Sequence, residues 1–181
     1  MRIVITGTPG TGKTKVAGKL AKILKIKLIS LRDIVNKEKI FRIKNREKIA
    51  DLKALDRKLK SLLKNEKDFV AEGHLACEIR MPADYVFVLR THPDELKKRL
   101  SGRKYRKEKL NENIMCELLD YCPQRVLKVY GIKPIEIDTT GKTVGGTAGK
   151  IKAMIKNKKK KGDKVDYSKE LMKHLGLKKH G

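Results

Sequence analysis

The sequence predicts an α/β fold in which five short strands alternate with helices and a phosphate-binding loop follows the first strand. Three observations carry this. The run Gly7-Thr8-Pro9-Gly10-Thr11-Gly12-Lys13-Thr14 satisfies the pattern G-x-x-x-x-G-K-[ST]. It follows Arg2-Ile3-Val4-Ile5-Thr6, which is short, β-branched and apolar like a buried strand. It precedes Lys13 to Leu24, where Val16, Leu20, Ile23 and Leu24 share one helical face with lysines opposite.

The loop has a physical rationale. Its glycines let successive N–H groups point into one concavity. That concavity and the positive end of the following helix suit phosphate oxygens. Lys13 adds a charge that reaches the β- and γ-phosphates of a nucleotide, and the Thr14 hydroxyl is a ligand for Mg²⁺.

The remaining elements follow in order. Lys27-Leu28-Ile29-Ser30 reads as a second strand, and Ser30 opens a short helix at Leu31 to Val35. Asn36 to Arg46 reads as basic and irregular, with Asn45 capping a long helix from Arg46 to Leu63. Ile49, Leu52, Leu55, Leu59 and Leu62 recur at three and four along it, as core contacts do. Asp68 to Glu72 is a third strand that ends in a carboxylate, then Gly73 and His74. Strand ends of nucleotide-binding sheets abut the phosphate site. An acid there can hold a water of the Mg²⁺ shell, and a histidine can position an attacking water or touch the γ-phosphate.

Tyr85 to Leu89 is the clearest buried strand. Thr91 is a plausible cap for the helix that follows, with Pro93 in its first turn and Leu96 and Leu100 inward. Arg99 to Lys109 is a very basic segment whose arginines can close over a transferring phosphoryl group. Leu110 to Tyr130 reads as one helix interrupted at Pro123. Ile135-Glu136-Ile137-Asp138 is a fifth strand, and Gly141-Lys142-Thr143 after it is no second phosphate loop, because Glu136 stands where the pattern needs glycine. It reads instead as an adenine-side loop, followed by a last helix through Ile155. From Lys156 on, ten lysines face Asp163, Asp166 and Glu170, a surplus of +7 that reads as an appended basic tail, its run Lys158 to Lys161 unfolded in isolation, with one small amphipathic helix at Leu171, Met172 and Leu175.

Composition bounds the function. The 181 residues fit about one domain. No apolar run approaches the length of a transmembrane helix, and the chain opens directly on a strand, so a cytoplasmic protein without a leader or membrane partner is expected. Cys77, Cys116 and Cys122 form no C-x-x-C pair and read as thiols in a reducing compartment. The net charge of +25 exceeds what thermophile-style surface charge explains and favours a polyanionic partner such as RNA. Aromatics are 4% of residues, so phosphate contacts rather than base stacking would dominate. A GTPase would want Asn-Lys-x-Asp after a strand; Asn36-Lys37-Glu38-Lys39 lacks the acid.

The phosphate loop, Glu72-Gly73-His74, Tyr85 to Thr91, Arg103-Lys104-Tyr105 and the run Lys109-Leu110-Asn111-Glu112-Asn113-Ile114 together resemble the adenylate kinase isoenzyme 6 family. The resemblance covers residues 1 to about 156. It implies a three-layer P-loop NTPase fold with a five-stranded parallel sheet, a monophosphate-binding element at about 30–53 and a lid at about 102–112, with 157–181 as a tail. It implies ATP and Mg²⁺ as cofactors and phosphoryl transfer to AMP or another nucleoside monophosphate, together with ATP hydrolysis. By matched position, Gly10, Gly12, Lys13, Thr14 and the backbone of Lys15 would bind ATP, joined by Arg103 and Lys142. Lys13, Glu72, His74 and Arg103 would be catalytic, and Thr14 and Glu72 would serve the metal. The resemblance also implies small-subunit ribosomal protein uS11 and pre-ribosomal rRNA as partners. Three positions depart from the pattern: Lys15 for Thr, Glu72 for Asp, and Asn36 where some members carry an arginine near the monophosphate, a place Arg32, Arg42 or Arg46 would take instead.

Overall fold

The computed structural model describes residues 1–44, 47–102 and 106–177. Five parallel strands form the central sheet: β1 (Arg2–Thr6), β2 (Lys27–Ser30), β5 (Phe69–Glu72), β6 (Tyr85–Arg90) and β7 (Ile135–Asp138), in the spatial order β2-β5-β1-β6-β7. Side chains alternate across a strand, so β1 sends Ile3 and Ile5 to one face and Val4 to the other. On the first face α1 (Lys13–Leu24) and α7 (Val144–Lys156) bury Val16, Leu20, Ile151 and Met154. On the second lie α2 (Leu31–Lys37), α3 (Leu52–Leu63) and α6 (Tyr121–Tyr130), which contribute Val35, Leu55, Leu59 and Val126. The expected three-layer α/β architecture is therefore present.

Two expected helices are different. The stretch read as a helix from Arg46 begins only at Leu52, because Asp51 is the cap: its Oδ1 accepts from Ala54 N–H at 3.0 Å. Before it, β3 (Phe41–Lys44) and β4 (Glu47–Ala50) pair antiparallel as a hairpin, with the Lys48 ammonium 4.3 Å over the Phe41 ring. Asn45 and Arg46 lie outside the described residues. The element after β2 is thus a short helix plus an antiparallel strand pair, and of the stretch read as irregular, Asn36 and Lys37 are helical and Phe41–Lys44 is a strand.

The stretch Leu110 to Tyr130 divides into α5 (Lys107–Leu118) and α6, and the break falls at Asp120 (φ 52°) rather than at Pro123. Pro123 sits in the first turn of α6, where its missing N–H has no helical acceptor to lose. Asp120 accepts the left-handed conformation in return for a bond to Arg90. Helix α4 (Pro93–Ser101) is capped by His92, whose Nδ1 accepts from Asp94 N–H at 3.3 Å, and not by Thr91, whose hydroxyl lies 2.7 Å from that of Thr139.

The C-terminal segment is not an unfolded appendage. Asp163 N–H donates to Glu136 O at 2.8 Å, and Asp138 N–H donates back to Asp163 Oδ2 at 2.9 Å, so the segment lies along the β7 edge. Tyr167 is buried with Ile114 and Leu118 of α5, and α8 (Ser168–His174) follows, as the amphipathic spacing led one to expect.

Candidate functional site

The register of the sheet assembles the site. Ile5 pairs with Glu72, so the end of β5 lies beside the turn that leaves β1. That turn runs through Gly7, Gly10 and Gly12, all at positive φ, into α1. Gly7 is required by close approach as well: a Cβ there would stand 2.4 Å from the Leu89 carbonyl oxygen.

The loop curls around one carbonyl. Thr11 N–H and its hydroxyl donate to Thr8 O at 3.2 and 2.9 Å, and Lys13 Nζ donates to the same oxygen at 2.9 Å. Lys13 is only 8% exposed, and burial lowers its pKa. An ammonium has three donors, and a buried cation with one neutral partner is poised for an anion. The Thr8 hydroxyl is buried with no partner among the described residues, a second donor of the same loop left open. Thr14 Oγ1 donates to Glu72 Oε2 at 3.1 Å, and Glu72 is 2% exposed. A hydroxyl and a carboxylate brought together at the mouth of a phosphate loop are the hard oxygen donors that Mg²⁺ takes. The residues present therefore fit a Mg²⁺-bound polyphosphate.

His74 opens the short 3₁₀ turn His74–Cys77, its carbonyl accepting from the Thr6 hydroxyl at 3.2 Å. The residue is exposed, and the protein atoms crowding its ring take part of its water. That loss of water, then the charges of Lys13 and Lys109, lowers its pKa to about 4, so it is neutral at pH 7. Cys77 and Cys122 lie buried beneath, their sulfurs 4.0 Å apart and unbonded.

The loop after β7 reaches the same place. Thr139 Oγ1 lies 3.3 Å from Thr11 O and 2.9 Å from Arg90 O. Lys142, two residues beyond Thr140, is exposed, as is Lys15. Arg103 lies outside the described residues. Gly10, Gly12, Lys13, Thr14, Glu72 and His74 are thus brought together, and Lys142 stands on the adjoining loop.

On the opposite flank, Arg32 and Arg42 are exposed and Arg46 lies outside the described residues. The cation beside Asn36 is instead Lys48, whose Nζ donates to Asn36 Oδ1 at 3.0 Å. Sequence reasoning missed it because the expected helix through 46–63 aimed Lys48 elsewhere; the alternation of Phe41, Ile43, Ile49 with charged neighbours was the available strand signal. Lys109 was also missed: it bonds Glu112 at 2.9 Å and lies 3.7 Å from Glu47 of the hairpin, joining the two walls of the cleft.

A family model described as an AAA domain matches residues 3–120. The chain is 35% identical to a protein of Methanocaldococcus jannaschii and 39% identical to one of Pyrococcus furiosus, both named "Putative adenylate kinase", with 98% of each chain covered. Matches of that extent run on through the C-terminal segment. Shikimate kinase from Bacteroides thetaiotaomicron superposes with a TM-score of 0.59 at 19% identity, over 86% of this chain and 98% of that one. Shikimate kinase from Aquifex aeolicus gives 0.57 at 15% identity, over 87% and 98%. At such identities the likeness is one of fold.

Proposed function

The chain belongs to the AAA domain family and to the family of archaeal proteins named "Putative adenylate kinase", and from that premise we propose that it is a nucleoside monophosphate kinase, moving the γ-phosphoryl group of ATP to AMP or a related monophosphate. The observation that carries this reading is the buried Lys13 ammonium, held by a single carbonyl at the mouth where Thr14 meets Glu72. Phosphoryl transfer asks the protein for positioning and charge rather than covalent chemistry. The N–H groups of Gly10 to Lys15 and the ammonium of Lys13 would hold the β- and γ-phosphates. Thr14 would ligate Mg²⁺ and Glu72 would hold a water of its shell; the metal, when bound, neutralises charge on the transferring group. Glu72 reaches this position although it is one methylene longer than the usual Asp, because it already meets Thr14. His74, neutral, would orient the attacking oxygen through a hydrogen bond, not through charge. Lys48 beside Asn36 replaces the missing arginine as the cation for the acceptor phosphate, and Arg103 and Lys142 would serve the donor nucleotide.

The test is ADP formation from ATP with each monophosphate in turn. Turnover that depends on AMP or another monophosphate is expected; turnover indifferent to all of them overturns the kinase reading.

We also infer that the protein hydrolyses ATP and works in maturation of the small ribosomal subunit, with uS11 and pre-ribosomal rRNA as partners. The net charge of +25 supports this, since a nucleotide alone does not require it. Hydrolysis without a monophosphate, raised by a ribosomal partner, is the measurement for it.

A further inference from the structure

Residues 157–177 reach the nucleotide site from behind. Gly162 lies so close to β7 that a Cβ would stand 2.2 Å from Glu136 O. Asp163 ties the segment to Asp138 and, at 2.5 Å, to Lys150 of α7. Four residues on, Tyr167 is 7% exposed. Its ring lies 5.2 Å from the Arg90 guanidinium and meets the His92 ring edge-on at 5.8 Å. Glu170 Oε1 stands 3.5 Å from His92 Nε2. His92 N–H donates to the Thr140 hydroxyl at 2.8 Å, and that hydroxyl and the Thr140 N–H both donate to Asp138, at 2.6 and 2.9 Å. The segment therefore grips, through Asp163, Tyr167 and Glu170, the two groups that fix Thr140, in the loop carrying Lys142.

From this we infer that the C-terminal segment, through Tyr167, positions the base side of the donor-nucleotide site. The sheet order supplies the geometry. The phosphate loop leaves the central strand β1, and the element with Asn36 and Lys48 extends from β2 at one edge. A donor whose phosphates enter that loop, with its acceptor on the β2 side, must lay its nucleoside toward β6 and β7, where the Thr139–Thr143 loop stands. Tyr167 touches none of the reacting atoms; it acts through His92 and Thr140. Two aromatic contacts and an ordered backbone stop the loop from sampling other conformations, which lowers the entropy lost on binding a base. This rests on the nucleotide-binding reading above and adds to it the part of the chain that the phosphate loop does not reach.

The experiment compares two ligands on the full-length protein by calorimetry: Mg·ATP, and Mg·tripolyphosphate, which has the phosphates and no base. Tyr167→Ala should weaken Mg·ATP about tenfold and leave Mg·tripolyphosphate unchanged. Tyr167→Phe, which keeps the ring on Arg90 and His92, should restore ATP affinity. Gly162→Ala lifts the segment from β7 without altering Tyr167 and should reproduce the ATP-only loss, which serves if Tyr167→Ala does not fold. Equal weakening of both ligands, or an unchanged ATP affinity in folded variants, overturns the inference. Wild-type protein that binds neither ligand overturns the nucleotide-site reading itself.

Discussion

Lys13 holds the tightest link between burial and activity. Its ammonium is dehydrated and has one hydrogen-bond partner among the described residues, Thr8 O, so its burial is a cost to folding that a phosphate would offset. Lys13→Ala should therefore lower turnover by about 100-fold or more while the melting temperature holds or rises. A large drop in melting temperature would mean that Lys13 is structural. His74 makes a different prediction. Its pKa is about 4 in the folded protein against an ordinary value of 6.5, so the folded state disfavours the protonated ring. Its contribution to stability is complete above pH 6.5 and is lost as pH falls from there toward 4. The melting temperature of wild type minus that of His74→Asn should accordingly decline between pH 7 and pH 4.5; a flat difference would mean the ring is fully hydrated. Lys13, Thr14 and Glu72 were legible because a motif and a strand end fix them locally. Lys48 and the orphaned Thr8 hydroxyl were not, since each depends on where a distant segment folds back.

At the scale of elements, the joint between α5 and α6 shows what local pattern leaves out. Arg90 at the end of β6 is 1% exposed, and its Nε bonds Glu117 Oε1 at 2.8 Å while the rest of its guanidinium meets Asp120 and Glu136. Burial works against the charge, and these carboxylates outweigh it, holding the Arg90 pKa above its ordinary range. Glu117 also accepts from Thr91 N–H at 3.0 Å, so one carboxylate joins α5 to the turn that opens α4. Glu117→Ala leaves Arg90 Nε–H and Thr91 N–H without their shared buried acceptor and should cost about 3 kcal/mol in urea denaturation. Pro123→Ala, at the position where the sequence placed the interruption, should cost no more than about 1 kcal/mol. The reversed ranking would restore the proline as the breakpoint. Strands β1, β2 and β7 and helix α1 were read with their observed bounds, because each is a short apolar run or a clean helical face next to an obvious stop. The hairpin at 41–50 was not, because Ile49 and Leu52 happen to continue the spacing of α3, and only the Asp51 cap separates them.

For the whole molecule the charge was plain in the sequence, and its placement was not. Docking of residues 157–177 rests on Gly162 meeting Glu136 and on Tyr167 reaching Arg90, contacts between segments that no local pattern announces. With its ends held on β7 and α5, this segment presents Lys158 to Lys161 as an exposed basic run on an ordered support. A basic run carried on an ordered backbone meets a phosphate backbone without first ordering its own chain, so its contacts should appear as counterion release. If the protein neutralises about six phosphates, the affinity for an RNA duplex should fall with salt with a log–log slope of about −5, measured by anisotropy between about 50 and 200 mM. Replacing Lys158 to Lys161 by glutamine should flatten that slope by about one for each lysine and leave Mg·ATP affinity as it was, because none of the four touches Tyr167, His92 or the phosphate loop. A slope near zero in wild type would show that the excess charge does not serve a nucleic acid. A slope unchanged in the fourfold variant would move the contact surface to the other lysines of the molecule.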